Sequence, residues 1–323
     1  MPIIRSTYNP KGIFRNPDIS TIYAATLRQV PDPGFEKERL ELSDGDFLDL
    51  EWSRVFGSKK IIILLHGLAG NANRPYMKGM ARIFNLHGWS ALALNLRGCS
   101  MEMNRKFRSY HAGASDDFAE VVLHVLHLKQ FDKIAICGFS LGGNISLKYL
   151  GENRSIPKEI IGGAAISVPC DLAGSLGAIN RMRNFIYSSR FERNLKQNLL
   201  QRAEKFPEYI SEDTIKACNS LRDIDELYTS RAHGFQNAAD YYDKASSLQF
   251  LENLQRPALI LNAKNDSFLS PSCYPQHLAE NSAELFLETP EHGGHVGFVL
   301  PGTHFYHEKR CLEFLNSLEA TSS

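Results

Sequence analysis

The stretch ICGFSLGGNI, residues 136–145, places a serine among glycines directly after an apolar run. Gly138, Ser140 and Gly142 fit the pattern G-x-S-x-G, and NISLKYL then continues as a helix would. A serine on a sharp turn from strand to helix is held in a strained backbone conformation with its hydroxyl at the tip. The helix that follows directs partial positive charge at the reacting centre. The stretch predicts that Ser140 is a nucleophile; the alternative is a tight turn with a structural serine.

Strand and helix patterns alternate along the rest of the chain. FLDLEW (47–52) alternates apolar and polar residues, as a half-exposed strand does. Continuously apolar runs are typical of strands covered on both faces, and they occupy 61–65, 90–96, 133–137, 162–168 and 258–263. Apolar residues at helical spacing mark 114–127 and the segment YHEKRCLEFLNSL. Parallel strands with crossover helices predict one α/β domain over residues 1–323, with an open, mostly parallel, twisted sheet flanked by helices.

One long segment breaks this alternation. From about Asp171 to Ser246 no core strand is evident, and helical segments take its place. Apolar side chains recur there at i, i+4 spacing, namely Tyr187, Phe191, Leu195 and Leu199. We interpret residues 171–246 as a helical lid inserted above the carboxyl ends of the strands. The alternative is a long helical crossover.

Composition indicates an ordinary globular protein. The 323 residues are 43% hydrophobic and 22% charged, and 36 Lys and Arg balance 36 Asp and Glu. This balance gives no overall field that would favour nucleic acid. No run approaches the roughly 20 apolar residues of a membrane-spanning helix, and the amino terminus lacks the pattern of a secretory signal. The six cysteines form no CxxC pair, so we expect reduced thiols and a cytoplasmic location.

A serine hydroxyl needs a base to take its proton and an acid to orient that base. Asp266 follows the buried strand ALILNA in a polar turn, at the position expected for the acid. The alternative for Asp266 is an Asx-type turn cap. Asp240 and Asp243 are competing acids, but they lie in the predicted lid, where their position relative to the sheet is less constrained.

The predicted base lies in a glycine-rich loop after the last strand, in AELFLETPEHGGHVGF. Of its two histidines we choose His295, because Gly293 and Gly294 leave the loop free to turn this ring toward the serine. His292 is then a loop residue or a supporting donor. The spacing does not match H-E-x-x-H, and paired glycines would not hold a ligand-bearing helix, so we expect no zinc site.

Two backbone amides should bind the negative charge that develops on the substrate oxygen. The first is the Leu141 amide, directly after the predicted nucleophile. The second is the Leu68 amide in LLHGLAGN, where Gly67 permits a tight bend. We interpret His66 as a structural residue that holds this loop, because it precedes the turn.

Several motifs together resemble a known family. HGLAGN, LNLRGCS, YHAG (110–113), GFSLGGN and the segments of Asp266 and His295 are similar to the YheT-like branch of the α/β-hydrolase superfamily, which includes bacterial esterases and mammalian abhydrolase-domain lipases. The resemblance implies the α/β-hydrolase fold, a Ser140–Asp266–His295 triad, hydrolysis of carboxylic esters and no cofactor. Near the amino terminus, Asp18 and Ser20 stand where the family pattern has His and Gln, a departure that we expect to touch no catalytic position.

Other residues admit two interpretations. Arg97 follows a strand end, and we favour a structural pair with Asp116 or Asp117 over a clamp on an anionic substrate. Tyr110 and His111 are interpreted as supports for the site. The predicted lid segment 181–205 holds seven Lys or Arg against two Glu. This segment would be a solvated helix face or would touch anionic lipid.

The combined prediction is a serine esterase that acts on short or medium acyl chains. Its partner is a small-molecule ester or lipid, with no metal and no nucleic acid. An apolar pocket beneath the lid is expected from Phe139, Leu68, Tyr187 and Phe191. The alternatives are a phospholipase or acylglycerol lipase, an acyltransferase with the same triad, and a ligand-binding protein that keeps the fold without turnover.

Overall fold

The computed structural model describes residues 2–321 and is built on one nine-stranded sheet. The spatial order is β1-β9-β8-β7-β6-β4-β5-β3-β2. In this spatial order, neighbouring strands are parallel from β1 as far as β5. At the other edge of the sheet, β3 is antiparallel to both β5 and β2. The strands are β1 Ile3–Ile4, β2 Glu36–Glu41, β3 Phe47–Ser53, β4 Lys60–Leu65, β5 Ser90–Asn95, β6 Lys133–Phe139, β7 Ile160–Ile166, β8 Ala258–Leu261 and β9 Leu285–Glu288.

Twelve α-helices are found in the described residues, with short 3-10 and π turns between some of them. They are α1 Pro17–Ile22, α2 Pro75–Leu86, α3 Ser115–His127, α4 Leu141–Gly151, α5 Leu172–Ile179, α6 Phe185–Lys205, α7 Glu212–Ala217, α8 Leu221–Ile224, α9 Ser230–Ala232, α10 Ala238–Ala245, α11 Gln276–Glu280 and α12 Tyr306–Thr321. No helix within residues 2–321 is long and apolar enough to cross a membrane. The mostly parallel sheet flanked by helices matches the predicted fold class.

The sheet separates two apolar cores because successive side chains of a strand point to opposite faces. On β4, Ile61 and Ile63 belong to the core beneath α3 and α4, whereas Ile62 and Leu64 belong to the core beneath α2 and α12. Both faces are therefore buried, which explains why the central strands are continuously apolar. The residues that precede Ser140 follow the same alternation, and Phe139 lies on the α2 and α12 side.

Two features differ from the sequence-based expectations. β3 is buried on both faces except at Asp49, although its alternating pattern predicts a half-exposed strand. One reason is that the Arg39 guanidinium covers the Phe47 ring, 3.7 Å from its centroid. The strands β7 and β8 end two residues earlier than their apolar runs. Beyond them, the buried Asn262 side chain accepts a hydrogen bond from Val168 N and donates one to Val168 O.

Only helical elements and turns connect β7 to β8, and α6 is the longest of them. Near the carboxyl end of α6, Arg202 Nη1 donates to the carbonyl oxygens of Lys106 and Phe107 at 2.9 and 2.8 Å. Near its amino end, the Tyr187 hydroxyl donates to Asp18 of α1 at 3.1 Å. Polar contacts therefore attach α6 to the rest of the molecule at both ends.

His307 of α12 is a buried polar residue without a hydrogen bond, and its Nε2 lies 3.7 Å from the Glu308 carboxylate. Neither ring nitrogen has a hydrogen-bond partner within residues 2–321, and the ring packs against Phe139, Phe298 and Phe305. Burial is the main cause that lowers the pKa of His307 from 6.5 to about 4, against the opposing effect of the Glu308 carboxylate. The imidazole is therefore held neutral in the folded protein.

We expect His307→Phe to remove part of the acid sensitivity of the fold. Between about pH 6.5 and 4 this histidine is protonated in the unfolded chain but not in the folded protein. The free energy of unfolding of the wild type therefore decreases by up to about 3 kcal/mol as the pH is lowered through this range. Urea unfolding across this window measures the difference. The exposed His127 provides the control, since His127→Gln should keep the wild-type slope. An unchanged slope in His307→Phe would contradict the expectation.

Candidate active site

Ser140 lies in the turn between β6 and α4 with φ 51° and ψ −120°. A positive φ is unusual for a residue with a side chain and marks a strained turn. The Ser140 amide donates to the Ile166 carbonyl of β7 at 2.8 Å, which fixes the turn against the sheet. At Gly142 a Cβ atom would stand 2.5 Å from the Leu65 carbonyl oxygen, so only glycine fits this close approach. The hydroxyl is thereby held at the carboxyl end of β6.

The structure brings Ser140, His295 and Asp266 into one hydrogen-bonded chain. His295 Nε2 lies 3.0 Å from Ser140 Oγ, and Nδ1 lies 2.8 Å from Asp266 Oδ2. The Asp266 carboxylate is fully buried, whereas the imidazole keeps 13% of its surface exposed. The other carboxylate oxygen of Asp266 accepts from the Phe268 amide at 3.0 Å, so the same residue also caps its turn. The neutral imidazole can therefore donate from Nδ1 and accept at Nε2.

The competing residues lie elsewhere. His292 makes no hydrogen bond to Ser140 or Asp266 in the described structure. Asp240 pairs with Lys244 at 2.7 Å on α10, the helix that also carries Asp243. Within residues 2–321, no three His, Cys, Asp or Glu side chains are grouped so that they could hold a metal ion.

Side chains distant in sequence fix the loop of His295. The His295 amide donates to Thr21 Oγ1 of α1 at 2.9 Å, and the neighbouring amides donate to Asn265 Oδ1 and Ser167 Oγ at 3.0 and 2.9 Å. Gly294 has φ 58°, and a side chain there would collide with the Pro17 carbonyl. Sequence reasoning missed these three supports, because nothing local in the chain links them to the histidine.

The amino-terminal segment is therefore part of the site. Ser20 Oγ donates to the Gly293 carbonyl at 3.2 Å, and Asp18 accepts from Tyr187 of α6. The departure from the family pattern at Asp18 and Ser20 therefore contacts the histidine loop and α6, but in the described structure neither residue bonds Ser140, Asp266 or His295. Ser20 and Gly293 are 273 positions apart, so the sequence alone could not bring them together.

The turn that contains Leu68 lies directly beside Ser140. A Cβ atom at Gly67 would stand 3.1 Å from the Ser140 Cβ. The Gly67 amide donates to the Tyr76 hydroxyl at 3.2 Å, and the Ala69 amide donates to the Tyr110 hydroxyl at 2.8 Å. Within the described residues, the amides of Leu68 and Leu141 have no hydrogen-bond partner. Both are therefore free to donate to an incoming oxygen.

His66 holds the base of this turn. The ring is fully buried, and its Nε2 accepts from the Leu96 amide at 3.1 Å while Nδ1 lies 2.8 Å from the Gly67 carbonyl. These two contacts require a neutral imidazole with its proton on Nδ1. Burial lowers the pKa of His66 to about 4, which keeps the ring neutral. This arrangement agrees with the structural role that we assigned to His66.

The residues that were expected to line one pocket do not lie together. Phe139 is fully buried on the opposite face of the sheet, 4.6 Å from the Tyr76 ring, so the prediction that it lines a substrate pocket is wrong. Strand alternation places it there, because it immediately precedes the turn. Tyr187 and Phe191 of α6 pack against Phe268. The Phe268 ring lies 4.4 Å from the His295 ring, so these aromatic residues cover the histidine.

A small cavity of about 70 Å³ is lined by Leu68 and Leu141, the two residues whose amides are free. Leu68, Leu141 and the α6 residues Leu195 and Leu199 form apolar parts of its wall. Its polar wall includes Asp225, which sequence reasoning did not identify. Burial raises the pKa of the Asp225 carboxyl to about 6, although the hydroxyls of Thr229 and Tyr242 donate to it, each at 2.7 Å.

Two further residues of the YHAG motif support the surrounding loops. The Tyr110 hydroxyl accepts from Ala69, as described above, and therefore steadies the turn of Leu68. His111 accepts from the Gly113 amide at 3.2 Å, and its ring lies 4.5 Å from the His233 ring. Burial lowers the pKa of His111 well below 6.5, so this imidazole is neutral.

Arg97 is buried at the centre of an ionic cluster below the site. Its Nε and Nη2 donate to both oxygens of Asp117 at 2.9 and 2.8 Å, and Nη1 donates to Asp46 at 2.8 Å. Asp44 lies 3.1 Å from the same nitrogen. The Arg97 side chain has no exposed surface, so it cannot clamp a substrate. It has the structural role that we favoured, with Asp117 rather than Asp116 as its partner.

We expect Arg97→Met to lower the free energy of unfolding by about 3–5 kcal/mol, because it leaves buried carboxylates without their cation. Chemical unfolding at neutral pH measures this loss. Lys216→Met is the control, since Lys216 and its partner Glu212 are both 63% exposed and the change should cost less than about 1 kcal/mol. Equal losses in the two variants would contradict the importance of the Arg97 cluster.

Comparison with known proteins identifies the family. Residues 60–301 match the family model described as alpha/beta hydrolase fold. The chain is 31% identical over 282 residues to "Putative esterase YheT" of Escherichia coli (strain K12), covering 85% of this chain and 82% of that protein. It is 25% identical over 307 residues to "Phospholipase ABHD3" of Mus musculus, covering 92% and 74%.

Comparison with solved structures supports the same fold. The esterase Pf2001 of Pyrococcus furiosus superposes with a TM-score of 0.58 at 19% identity, covering 92% of this chain and 97% of that one. The family model matches most of the chain, and the YheT match extends over nearly all of it. The chain therefore belongs to the YheT-like branch of the α/β-hydrolase superfamily.

Proposed function

We propose that this α/β hydrolase cleaves carboxylic esters through an acyl-enzyme formed on Ser140. The observation that carries the proposal is the hydrogen-bonded chain from Ser140 Oγ through the His295 imidazole to Asp266. Ser140 Oγ attacks the ester carbonyl carbon as its proton passes to His295 Nε2. Nδ1 keeps its proton and donates a hydrogen bond to Asp266, whose carboxylate stabilises the imidazolium that forms.

The negative charge that develops on the carbonyl oxygen is met by the Leu68 and Leu141 amides. Both residues lie in turns beside Ser140, and their amides donate no hydrogen bond to another group in residues 2–321. His295 then gives its proton to the departing alkoxide, which leaves as the alcohol. In the second half-reaction His295 takes a proton from water, and the resulting hydroxyl attacks the acyl carbon. The bond from the acyl carbon to Ser140 Oγ then breaks, His295 returns the proton to Ser140 Oγ, and the acid is released. An alcohol in place of this water would give acyl transfer.

The substrate carries a short or medium acyl chain in this proposal. The cavity beside the two amides has a volume of about 70 Å³, roughly that of two water molecules in the liquid. A longer chain therefore requires the helices above the cavity to move. We accordingly assign residues 171–246 as a lid within a single domain. The polar attachments of α6 at Asp18 and at Arg202 are contacts that a closed lid would use.

We expect Ser140→Ala to reduce turnover of p-nitrophenyl esters by roughly 10⁵-fold or more, because within residues 2–321 no other hydroxyl is bonded to His295 Nε2. The measurement is kcat on esters of increasing acyl length, together with labelling of the serine by a fluorophosphonate probe. Wild-type protein should incorporate the label and prefer the shorter esters, whereas the variant should remain unlabelled.

Ser146→Ala is the matched control. Ser146 is a buried serine of α4 whose hydroxyl donates to the Gly142 carbonyl at 2.8 Å, away from His295. This variant should keep its labelling and most of its turnover. If Ser140→Ala turned over esters as fast as wild type, the assignment of the nucleophile would be wrong. A wild-type protein that binds esters but neither hydrolyses them nor takes the label would instead be a ligand-binding member of the fold.

We also propose that Thr21 positions the catalytic histidine. We expect Thr21→Val to lower kcat by roughly tenfold to hundredfold with little change in KM, because the His295 amide loses its acceptor and the imidazole shifts. Steady-state kinetics on a p-nitrophenyl ester measures both constants. Thr21→Ser keeps the hydroxyl and should recover wild-type kcat.

Thr26→Val is the control for this effect. The Thr26 hydroxyl donates to the Ile22 carbonyl at the surface and does not contact the histidine loop, so the same chemical change there should leave kcat unchanged. A similar loss of kcat in Thr26→Val and Thr21→Val, or a failure of Thr21→Ser to recover it, would argue against the positioning role.

A further inference from the structure

Three large apolar side chains project into solvent where α6 begins. Met182, Phe185 and Ile186 are 86%, 63% and 78% exposed, respectively. They lie within five consecutive positions, in the 3-10 turn Met182–Asn184 and the first turn of α6. Single exposed apolar residues are common on protein surfaces, but a contiguous group usually marks a place of interaction.

Positive charge surrounds this apolar group. Arg181, Arg190 and Arg193 are exposed, and none of them has an ion-pair partner among the described residues. No Asp or Glu occurs between positions 180 and 191. The nearest acids are already engaged, since Asp18 lies 3.5 Å from Arg183 and Glu192 lies 3.0 Å from Lys196. The chain as a whole has no net charge, so the excess is local. We call these six residues the α6 patch: Arg181, Met182, Phe185, Ile186, Arg190 and Arg193.

The α6 patch lies on the outer side of the helix that covers the catalytic histidine. In the same turns of α6, Tyr187 and Phe191 face inward and pack on Phe268, whose ring contacts that of His295. The hydrogen bond from Tyr187 to Asp18 brings α1 alongside. On α1, Ile19 and Ile22 are also 38% and 46% exposed.

We propose that the α6 patch docks this protein on the surface of an anionic phospholipid bilayer. An apolar centre bordered by unpaired arginines matches such a surface, because the apolar side chains enter the interface while the cations meet lipid phosphates. A second copy of this chain is a poorer partner, since a two-fold interface would set arginines against the same arginines. The proposal goes beyond ester hydrolysis, and binding can be measured without turnover.

The test is co-sedimentation of the full chain with vesicles. We expect wild-type protein to bind vesicles made of equal parts phosphatidylcholine and phosphatidylglycerol, to be released by about 1 M salt, and to bind phosphatidylcholine alone weakly. The triple variants Met182→Ser/Phe185→Ser/Ile186→Ser and Arg181→Gln/Arg190→Gln/Arg193→Gln should each lower the partition coefficient by about tenfold or more. All substituted side chains are exposed, and circular dichroism verifies that the fold is kept.

Matched controls come from the opposite edge of the sheet. Lys59, Lys129 and Lys158 are exposed near the amino ends of central strands, so the triple change of these lysines to Gln removes the same charge away from the α6 patch. Phe56→Ser/Leu86→Ser likewise removes two exposed apolar side chains, which are 106% and 68% exposed. Both controls should bind like wild type. Absence of wild-type binding to the anionic vesicles, or equal losses in controls and patch variants, overturns the proposal.

A second measurement reports the contact directly. Both native tryptophans, Trp52 and Trp89, are buried, so Phe185→Trp adds a reporter at the patch against a constant background. Its emission should shift to the blue and resist iodide quenching when anionic vesicles are added. An unshifted emission, or a patch-dependent dimer in light scattering without vesicle binding, would assign the surface to solvent or to a second copy instead.

Discussion

The contact between His295 Nε2 and Ser140 Oγ is the constraint on which the site depends, because it joins elements that are far apart along the chain. Ser140 follows β6, Asp266 follows β8, and His295 follows β9. These strands are parallel, so their carboxyl ends meet at one edge of the sheet. The sheet brings the three side chains to the same edge. The strained turn at Ser140 and the fixed loop at His295 then orient the two side chains toward each other.

The three central residues could be predicted because each carries a local signal. Glycines flank the serine, a buried strand precedes the aspartate, and paired glycines precede the histidine. The supports of the histidine carry no such signal. Thr21 is 274 positions from His295, and an ordinary threonine in a short helix gives no hint of that partner.

The position of Phe139 could have been predicted from the sequence. Side chains alternate along β6, and Ala135, Cys137 and Phe139 therefore lie on the same face of the sheet.

Among the buried polar groups around the site, some could likewise be predicted from the sequence and others could not. The sequence offered Asp117 as one of two candidate partners of Arg97, but it gave no sign of Asp46, the second buried carboxylate that the Arg97 guanidinium binds. His66 is explained by its neighbours in the turn, whereas His307 lies among aromatic rings without any hydrogen bond. A buried imidazole without a hydrogen bond lowers the stability of the fold. The aromatic rings around His307 come together only when α12 packs on the sheet, so the sequence alone does not show them.

The attachments of α6 connect the closed cavity with the exposed patch. The inner face of this helix closes a cavity of about 70 Å³, and its outer face carries apolar and cationic side chains. Near its amino end the helix is attached by the hydrogen bond from Tyr187 to the half-exposed Asp18. The buried Asn184 attaches the same end, because its side chain donates to the Ser267 carbonyl and accepts from the Ser267 hydroxyl, each at 2.7 Å. A surface that displaced this end of α6 would have to offset the loss of these contacts. The Arg202 end, which donates to several backbone carbonyls, would stay in place as a hinge. Opening at the amino end would expose Phe268 and the histidine beneath it, which is the direction from which an ester held in a lipid layer would arrive.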